Sequence, residues 1–401
     1  MKHVIIGASA AGVTAAKTIR TNRKDDEVMI LSTDDAVYSR CLLHKFIGGE
    51  RSLKEMAFVP DNFFELNNIN WQPGVTVTGL DTISKKALTQ AGEESYDRLL
   101  IASGSVSTMP SIPGLKEAES VVTLRNLADA IKIRQKAESA NNIVIIGTGL
   151  VGLDAAYGLI EMGKKPTIVD IGKIIMATSL DTRSAKWYQD EFEKAGCTFL
   201  MSVSIKGIEV TESSAVLTFG DGTTLRADLL IVAAGVKPSI GFLDGSGIEC
   251  KRGIVVDEYM ATNVDGVYAA GDVTALSESW PAARTQGDTA ALNMCGIKTA
   301  YDLAADRKNS AHFFGIPSIS VGKFNADDGE EEIVREDRIR YQKLVLRGDI
   351  PVGVIMLGDI SRSGFWQYMI KHKVPVAAKN PWKTSFADKY SLDEKGMYKW
   401  A

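Results

Sequence analysis

The sequence is poor in cysteine and histidine, with four of each among 401 residues. No two cysteines form a C-x-x-C pair, and no set of them has the spacing of a metal site; they are Cys41, Cys197, Cys250 and Cys295. The histidines are scattered, without a His-x-x-x-His pair or a Ser/His/Asp set. We therefore predict no metal site, and this use of cysteine is typical of a reducing cytoplasm.

Long apolar runs and a strong charge imbalance are also absent. No apolar stretch approaches the roughly 18–20 residues that span a membrane, and a core strand predicted at the first residues leaves no room for a signal peptide. The net charge is only −4, without a basic cluster, which argues against nucleic acid as a partner. We expect a cytoplasmic protein that binds neither nucleic acid nor membranes.

What the sequence does contain is two glycine-rich fingerprints. Gly7-Ala8-Ser9-Ala10-Ala11-Gly12 follows the apolar run Val4-Ile5-Ile6, and Gly147-Thr148-Gly149-Leu150-Val151-Gly152 follows Ile143-Val144-Ile145-Ile146. Each lies where a buried strand turns sharply into an Ala-rich helix, whose first amide groups can bind a pyrophosphate. Two such corners predict that two dinucleotides meet, one resident and one exchanging.

An acidic residue follows each fingerprint at the distance expected of a ribose-binding carboxylate. After the second, the predicted strand Pro166-Thr167-Ile168-Val169 delivers Asp170, which can bind both ribose hydroxyls of NAD and repel the 2′-phosphate of NADP. After the first, the strand Val28-Met29-Ile30-Leu31 ends shortly before Thr33 and Asp34. Either of these two residues could accept hydrogen bonds from the ribose hydroxyls there, and Asp34 is the better candidate.

Strands and helices alternate along most of the chain, and from about residue 313 short alternating runs indicate an antiparallel sheet. The predicted class is α/β, with two Rossmann-like, three-layered dinucleotide-binding domains and a small α+β C-terminal domain. The expected boundaries are 1–108 with 245–312 for the first domain, 109–244 for the second, 313–376 for the small domain and 377–401 for an extended tail.

In combination, five ordered segments resemble the FAD-dependent pyridine nucleotide-disulfide oxidoreductases. They are the two fingerprints, Ile101-Ala102-Ser103-Gly104, Ala234-Gly235-Val236-Lys237-Pro238 and Tyr268-Ala269-Ala270-Gly271-Asp272. The resemblance implies FAD at the first fingerprint and NADH at the second. It also implies that Asp272 binds the ribitol–pyrophosphate region of FAD.

The cofactor-binding residues that this resemblance implies come from both halves of the chain. They are Gly7, Ser9, Ala10, Ala11, Gly12, Thr33, Asp34, Arg40, Lys45, Val75, Ala102, Ser103, Gly104, Arg125, Gly271 and Asp272 for FAD, and Gly147, Gly149, Leu150, Val151, Gly152, Asp170 and Gly235 for the nicotinamide nucleotide.

Within the family, Val37-Tyr38-Ser39-Arg40-Cys41-Leu42-Leu43-His44-Lys45 resembles the Tyr-x-Arg-x-x-Leu segment of NADH:rubredoxin reductases and NADH-dependent nitrite reductases. Asp337 to Val376 likewise resembles their small C-terminal domain. Reduced flavin needs nearby positive potential, which Arg40 and Lys45 could supply, together with a helix predicted after Pro281. The resemblance implies a rubredoxin or ferredoxin-type iron–sulfur protein as the electron acceptor, for a monomer or a homodimer.

Cys41 leaves a second function open. Some relatives carry one redox cysteine near this place, and a thiolate there would be stabilised by Arg40 and a helix start. Cys41 would then be the catalytic group of an NADH-dependent disulfide, peroxide or oxygen reductase. In the first interpretation it only fills space beside the flavin. A third alternative is a non-enzymatic NADH-sensing flavoprotein.

Overall fold

The computed structural model describes residues 1–116, 118–303, 308–376, 380–392, 394 and 397–400. The chain divides into two compact units. The first contains Met1–Lys173 with Phe192–Asp306, and the second contains Ile174–Glu191 with Arg307–Ala401. Among the described residues, no helix is long and apolar enough to cross a membrane.

The strands are numbered along the chain. Those of the first unit are β1 (Lys2–Ile6), β2 (Glu27–Ser32), β3 (Asn70–Pro73), β4 (Val77–Asp81), β5 (Lys86–Thr89), β6 (Gly92–Ser95), β7 (Arg98–Ile101), β8 (Ser105–Ser107), β9 (Val121–Thr123), β10 (Ile143–Ile146), β11 (Thr167–Val169), β12 (Thr198–Leu200), β13 (Ile205–Val210), β14 (Ala215–Phe219), β15 (Thr224–Ala227), β16 (Leu229–Val232), β17 (Val236–Pro238) and β18 (Val267–Ala269). Those of the second unit are β19 (Lys308–Phe313), β20 (Ile316–Gly322), β21 (Glu331–Glu336), β22 (Tyr341–Arg347), β23 (Ile350–Leu357), β24 (Tyr390–Leu392) and β25 (Tyr398–Trp400).

The helices are likewise numbered in chain order. They are α1 (Ala10–Asn22), α2 (Leu43–Ile47), α3 (Phe63–Leu66), α4 (Leu127–Ser139), α5 (Leu150–Glu161), α6 (Thr182–Lys194), α7 (Trp280–Met294) and α8 (Ser363–Lys371). A single 3₁₀ turn, Arg40–Leu42, directly precedes α2.

Two five-stranded sheets form the framework of the first unit, with strand orders β18-β7-β1-β2-β3 and β12-β11-β10-β16-β9. Both are parallel throughout. The central strands β1 and β10 are almost wholly buried, as expected of apolar strands covered on both faces. Each half also contains a three-stranded antiparallel sheet, β4-β5-β6 or β13-β14-β15. The predicted Rossmann-like architecture is confirmed.

The helix that follows the first strand packs closely against α7. A Cβ at Gly287 would lie 2.3 Å from the Ala11 carbonyl oxygen, so the two helix backbones approach without room for a side chain. The alanines of α1 make this possible, since Ala11, Ala15 and Ala16 are buried. This contact fixes the N-terminus of α1 beside the C-terminal ends of the parallel strands.

The second unit is built on an antiparallel sheet of order β19-β20-β23-β22-β21. The sheet begins at Lys308, earlier than the predicted boundary at 313, and α8 ends at Lys371. Trp366 and Met369 of this helix are fully buried among apolar residues of the sheet. The sheet confirms the small C-terminal α+β fold. In the tail predicted for 377–401, residues 377–379, 393, 395, 396 and 401 lie outside the described residues, and β24 pairs with β25.

The segment Ile174–Glu191 belongs to the second unit, although the sequence assigned it to the nucleotide-binding domain. A buried ion pair holds it there. The Asp181 carboxylate accepts a hydrogen bond from Tyr341 at 2.6 Å and pairs with Lys343 at 2.8 Å. Lys343 is only 3% exposed, and the two donors hold the pKa of Asp181 below its usual range despite burial.

Candidate functional site

The first glycine-rich corner leaves no room for side chains at its ends. Gly7 has a φ of +110°, and a Cβ there would lie 2.3 Å from the Ala102 carbonyl oxygen. A Cβ at Gly12 would lie 1.9 Å from the Gly7 carbonyl oxygen, so the helix packs directly on the turn. Ser9 makes no side-chain capping bond to any residue that the structure describes. The first amide groups of α1 are therefore available to an anionic ligand.

A cavity opens in front of this corner. The structure brings together on its wall the candidate catalytic residue Cys41 and most of the residues predicted for the first dinucleotide: Gly7, Ser9, Ala10, Ala11, Thr33, Asp34, Arg40, Val75, Ala102, Ser103, Gly104, Arg125, Gly271 and Asp272. Gly12 is not among the described lining residues, because it lies beneath Gly7. Lys45 is not among them either.

Asp34 lies at the end of β2, where the sequence placed a ribose acceptor. Its carboxylate forms an ion pair with the Arg40 guanidinium. That guanidinium also lies over the Tyr38 ring, 5.2 Å from the centroid. Arg40 is therefore held on the cavity wall beside the acid rather than free to reach along the cavity.

Asp272 lies at another part of the wall, after β18. Its Oδ2 accepts hydrogen bonds from the Arg125 guanidinium at 2.7 Å and from the Ser105 hydroxyl at 2.9 Å. Arg125 also donates to the Ser105 carbonyl oxygen at 3.0 Å. Both side-chain bonds go to one oxygen, so the carboxylate has a fixed orientation. Ser105 was not predicted, since a serine four residues after the end of β7 carries no distinctive sequence signal.

Helix α7 begins at the cavity. The sequence predicts a helix after Pro281, and the structure starts it at Trp280, with Trp280 and Ala283 on the cavity wall. Ser279 caps the helix through the Ala282 amide. Gln286 is fully buried and accepts a hydrogen bond from the Gly271 amide at 2.8 Å. The positive end of the helix dipole thus faces the cavity.

The second glycine-rich corner repeats the first almost atom for atom. A Cβ at Gly147 would lie 2.3 Å from the Ala233 carbonyl oxygen, and one at Gly152 would lie 2.0 Å from that of Gly147. A Cβ at Gly149, by contrast, would have no described heavy atom within 4 Å. Leu150, which follows it, is 40% exposed. This corner therefore presents an open surface in front of the α5 N-terminus.

The structure places Asp170 beside this second corner, directly after β11. Its Oδ2 accepts hydrogen bonds from the Thr148 amide at 2.7 Å and the Thr148 hydroxyl at 2.6 Å. Its Oδ1 accepts one from the Gly172 amide at 2.7 Å. The carboxylate is thus fixed at the strand end. The other two predicted residues are Val151, in the first turn of α5, and Gly235, which has a φ of +98° after β16.

The side chains between Tyr38 and Glu50 have partners that the sequence did not predict. Lys45 forms an ion pair with Glu50 at 2.6 Å, so α2 directs its charge away from the cavity wall. Cys41 is exposed on that wall. Although the residue as a whole is exposed, desolvation of the thiol and the Asp154 carboxylate raise the pKa of Cys41. Arg40, which the sequence placed beside a Cys41 thiolate, pairs with Asp34, and a redox role of Cys41 stays a prediction.

Two family models match the chain. Pyridine nucleotide-disulphide oxidoreductase matches residues 1–287, and the rubredoxin NAD⁺ reductase C-terminal domain matches residues 309–374. The chain is 32% identical to the NADH-dependent phenylglyoxylate dehydrogenase subunit epsilon of Aromatoleum evansii, over 94% of this chain and 92% of that protein. It is 30% identical to the NADH-rubredoxin oxidoreductase of Clostridium acetobutylicum, over 90% and 92%.

Similarity to solved structures supports the fold. The ferredoxin reductase for the CYP199A2 system from Rhodopseudomonas palustris superposes with a TM-score of 0.86 at 21% identity, covering 96% of this chain and 98% of that one. The two glycine corners, the cavity and all of the five-stranded C-terminal sheet but Lys308 lie within the matched residues. The chain therefore belongs to the pyridine nucleotide-disulphide oxidoreductase family and is an FAD-dependent NAD(P)H oxidoreductase that uses FAD and NADH.

Proposed function

We propose that this chain passes electrons from NADH through FAD to a small one-electron redox protein of the rubredoxin or ferredoxin type. One observation carries the proposal: Cys41 is the only cysteine among the described residues that line the cavity, so it has no partner there for an internal disulfide, and its surroundings raise the pKa of its thiol. A protonated thiol is a poor nucleophile toward a disulfide or a peroxide. The acceptor then has to take electrons from the flavin itself. The NADH-rubredoxin oxidoreductase among the relatives supports this choice of acceptor.

The cavity lining fits FAD from one end to the other. In this proposal the first amides of α1 bind the pyrophosphate, and Asp34 with Thr33 binds the adenosine ribose. Asp272, oriented through Oδ2 by Arg125 and Ser105, offers its Oδ1 to a ribitol hydroxyl. When bound, FAD supplies a ring that accepts a hydride from NADH and releases electrons singly.

The remaining residues position NADH and balance charge. The α5 N-terminus at Gly149 binds the NADH pyrophosphate, and Asp170 binds the ribose hydroxyls and disfavours a 2′-phosphate. The N-terminus of α7 supplies the positive potential that the sequence assigned to Arg40, Lys45 and this helix together. Arg40 then acts mainly by holding Asp34 in place.

The test compares Cys41→Ser with the wild type. With normal FAD content, the variant should retain NADH-dependent reduction of purified rubredoxin and of ferricyanide within a few-fold of wild type. Cys250→Ser, at a partly buried cysteine outside the cavity lining, is the matched control. A loss of more than about 100-fold, or roughly 2.7 kcal/mol, confined to Cys41→Ser would refute the proposal.

A second candidate function, NADH-dependent reduction of a disulfide, a peroxide or oxygen, is favoured by the position of Cys41 on the cavity wall. It predicts that Cys41→Ser abolishes turnover with that acceptor while FAD reduction by NADH stays intact. An NADH-sensing role without catalysis would instead leave the wild type unable to turn over ferricyanide with NADH.

A further inference from the structure

The Asp170 carboxylate is held by a residue inside the second fingerprint. Thr148 lies between Gly147 and Gly149, the first two glycines of that turn. Its amide and its hydroxyl both donate to Oδ2 of Asp170, at 2.7 and 2.6 Å. Thr148 is only 3% exposed, so water does not compete for its hydroxyl. One residue of the turn therefore supplies two donors to one carboxylate oxygen.

The backbone on both sides of this contact is fixed as well. The Gly147 amide donates to the Val169 carbonyl oxygen at 2.9 Å, which joins the turn to the end of β11. The Asp170 amide donates to the Leu200 carbonyl oxygen at 3.0 Å, and the Asp170 carbonyl oxygen accepts from the Val203 amide at 3.1 Å. The turn and the strand end are therefore fixed relative to each other, and the main freedom left to Asp170 is rotation of its side chain.

That rotation decides which carboxylate oxygen faces a ligand. A carboxylate oxygen accepts about two hydrogen bonds, so the two Thr148 donors fill the acceptor positions of Oδ2. Oδ1 accepts a bond from the Gly172 amide at 2.7 Å and has room for a further donor. In this orientation a ribose hydroxyl has to bind at Oδ1.

The Thr148 hydroxyl is the donor that depends on the side chain. The amides of Thr148 and Gly172 are present whichever residue follows the first glycine, and the hydroxyl adds the third and shortest bond, at 2.6 Å. The first corner has Ala8 at the matching position, and Asp34 there pairs with Arg40. The second corner thus holds its acid from within the fingerprint, whereas the first uses a side chain from a separate segment.

A fixed carboxylate discriminates between nucleotides better than a rotating one. Held in place, it offers Oδ1 to a 2′-hydroxyl without first having to be ordered. It also keeps its negative charge beside a 2′-phosphate, which it repels. A carboxylate that is free to rotate turns away from the phosphate. Loss of the hydroxyl should therefore weaken the binding of NADH and relieve the exclusion of NADPH together.

We propose that Thr148 is a positioning residue for nucleotide selection, whose hydroxyl holds the Asp170 carboxylate in the orientation that accepts the ribose of NADH and excludes a 2′-phosphate. The inference rests on the proposed function, in which Asp170 binds the NADH ribose. Thr148 acts through Asp170 and takes no part in hydride transfer. Its removal should therefore raise KM for NADH and leave kcat with ferricyanide as it is.

The experiment measures the binding of two probes to the FAD-loaded protein by titration calorimetry. They are ADP-ribose and the same molecule with a 2′-phosphate on its adenosine ribose, and neither can reduce FAD. The wild type should prefer ADP-ribose. In Thr148→Val a methyl group replaces the hydroxyl, and this preference should fall about fivefold or more, as expected for loss of one hydrogen bond to a charged group. Thr148→Ser keeps the hydroxyl and should keep the preference.

Two controls separate positioning from a structural effect. Thr167→Val makes the same chemical change at a partly buried residue of β11 and should follow the wild type. In an Asp170→Asn background, adding Thr148→Val should change the preference by no more than about twofold, because the hydroxyl acts through the carboxylate charge. If Thr148→Val does not fold with FAD bound, Thr148→Ala removes the same hydroxyl with a smaller side chain.

An unchanged preference in Thr148→Val would overturn the proposal. So would an equal fall in Thr148→Ser or Thr167→Val, or the same fall in the Asp170→Asn background. The outcome for Asp170→Asn alone distinguishes this failure from a failure of the NADH site. If Asp170→Asn keeps the wild-type preference, Asp170 loses its place at the ribose and Thr148 loses its role with it. If Asp170→Asn narrows the preference and Thr148→Val does not, Thr148 alone loses its role.

Discussion

The two nucleotide-binding corners share a backbone and differ in their side chains. In both, the first glycine lies against a carbonyl oxygen of the neighbouring strand end, and the last glycine lies against the carbonyl of the first. The middle position is Ser9 in one corner and Gly149 in the other. The acids after the second strands also differ, because Asp34 is held by the Arg40 side chain and Asp170 by the Thr148 backbone and hydroxyl.

This comparison separates what binds a pyrophosphate from what selects the nucleotide. The backbone geometry is common because any strand–turn–helix corner that exposes helix amides needs glycine at the same two contacts. The first corner opens into a cavity with walls from several loops, as a resident cofactor requires. At the second, a Cβ added to Gly149 would meet no described atom, which suits a nucleotide that enters and leaves.

The largest loss of nucleotide binding should come from adding a methyl group at the last glycine of one corner at a time. Gly12→Ala forces a methyl group against the Gly7 carbonyl and should weaken FAD binding by about a thousandfold or more, roughly 4 kcal/mol. Gly152→Ala makes the equivalent clash at the second corner. It should leave a yellow protein that NADH reduces poorly. Two measurements distinguish the variants: the FAD content after gel filtration reports on the first corner, and the anaerobic reduction of FAD by NADH reports on the second. Loss of FAD in Gly152→Ala alone would reverse the assignment of the corners.

Substitutions of the acidic residues Asp170 and Asp34 test the preference for NADH over NADPH. Asp170→Asn removes the charge that repels a 2′-phosphate while keeping an acceptor for Thr148. The wild-type preference for NADH over NADPH, about 30- to 1,000-fold or roughly 2–4 kcal/mol, should narrow markedly. The ratio of the kcat/KM values for NADH and NADPH measures this preference. Asp34→Asn, at the first corner, should change FAD retention and leave this ratio alone. Equal ratios in wild type and Asp170→Asn would remove Asp170 from this role.

The helices after the two corners also differ at matching positions, Thr14 and Asp154. The unfolded chain ionises Asp154 above about pH 4, whereas the fold keeps it protonated up to about pH 8. Unfolding then releases a proton, so this residue's contribution to stability decreases as the pH rises between these values. Asp154→Asn should therefore stabilise the protein at pH 7 by on the order of 1–3 kcal/mol.

Urea unfolding of the FAD-loaded protein at several pH values measures this difference, which should shrink toward pH 4. Thr14→Asn makes the matching change in α1 and should give a difference that does not vary with pH. A pH-independent effect of Asp154→Asn would mean that the carboxyl group is ionised in the folded protein.

The smallest effect concerns the middle glycine of the second corner. Gly149→Ala adds a methyl group that meets no described protein atom within 4 Å, so the urea midpoint should not change. The methyl group would obstruct an approaching pyrophosphate and should raise KM for NADH roughly three- to tenfold, about 0.7–1.4 kcal/mol. An unchanged KM would mean that the nucleotide does not approach this part of the corner.

The sequence predicted the parts of the molecule that depend on local backbone geometry. The two corners, their strands and the C-terminal sheet follow from glycine spacing and apolar periodicity, which act within a few residues. It did not predict that Arg40 would pair with Asp34 or that Lys45 would turn to Glu50, because a long side chain chooses among partners brought together by the fold. The Asp181–Lys343 pair was not predicted for the same reason, because its two residues are far apart in sequence.

The central claim is that the flavin stores the electrons and Cys41 does not. An anaerobic dithionite titration of the holoenzyme tests it most directly, with FAD absorbance followed as electrons are added. The proposed function predicts that two electrons per FAD complete the reduction, in the wild type and in Cys41→Ser alike. Uptake of four electrons by the wild type, falling to two in Cys41→Ser, would contradict it and make Cys41 a redox centre.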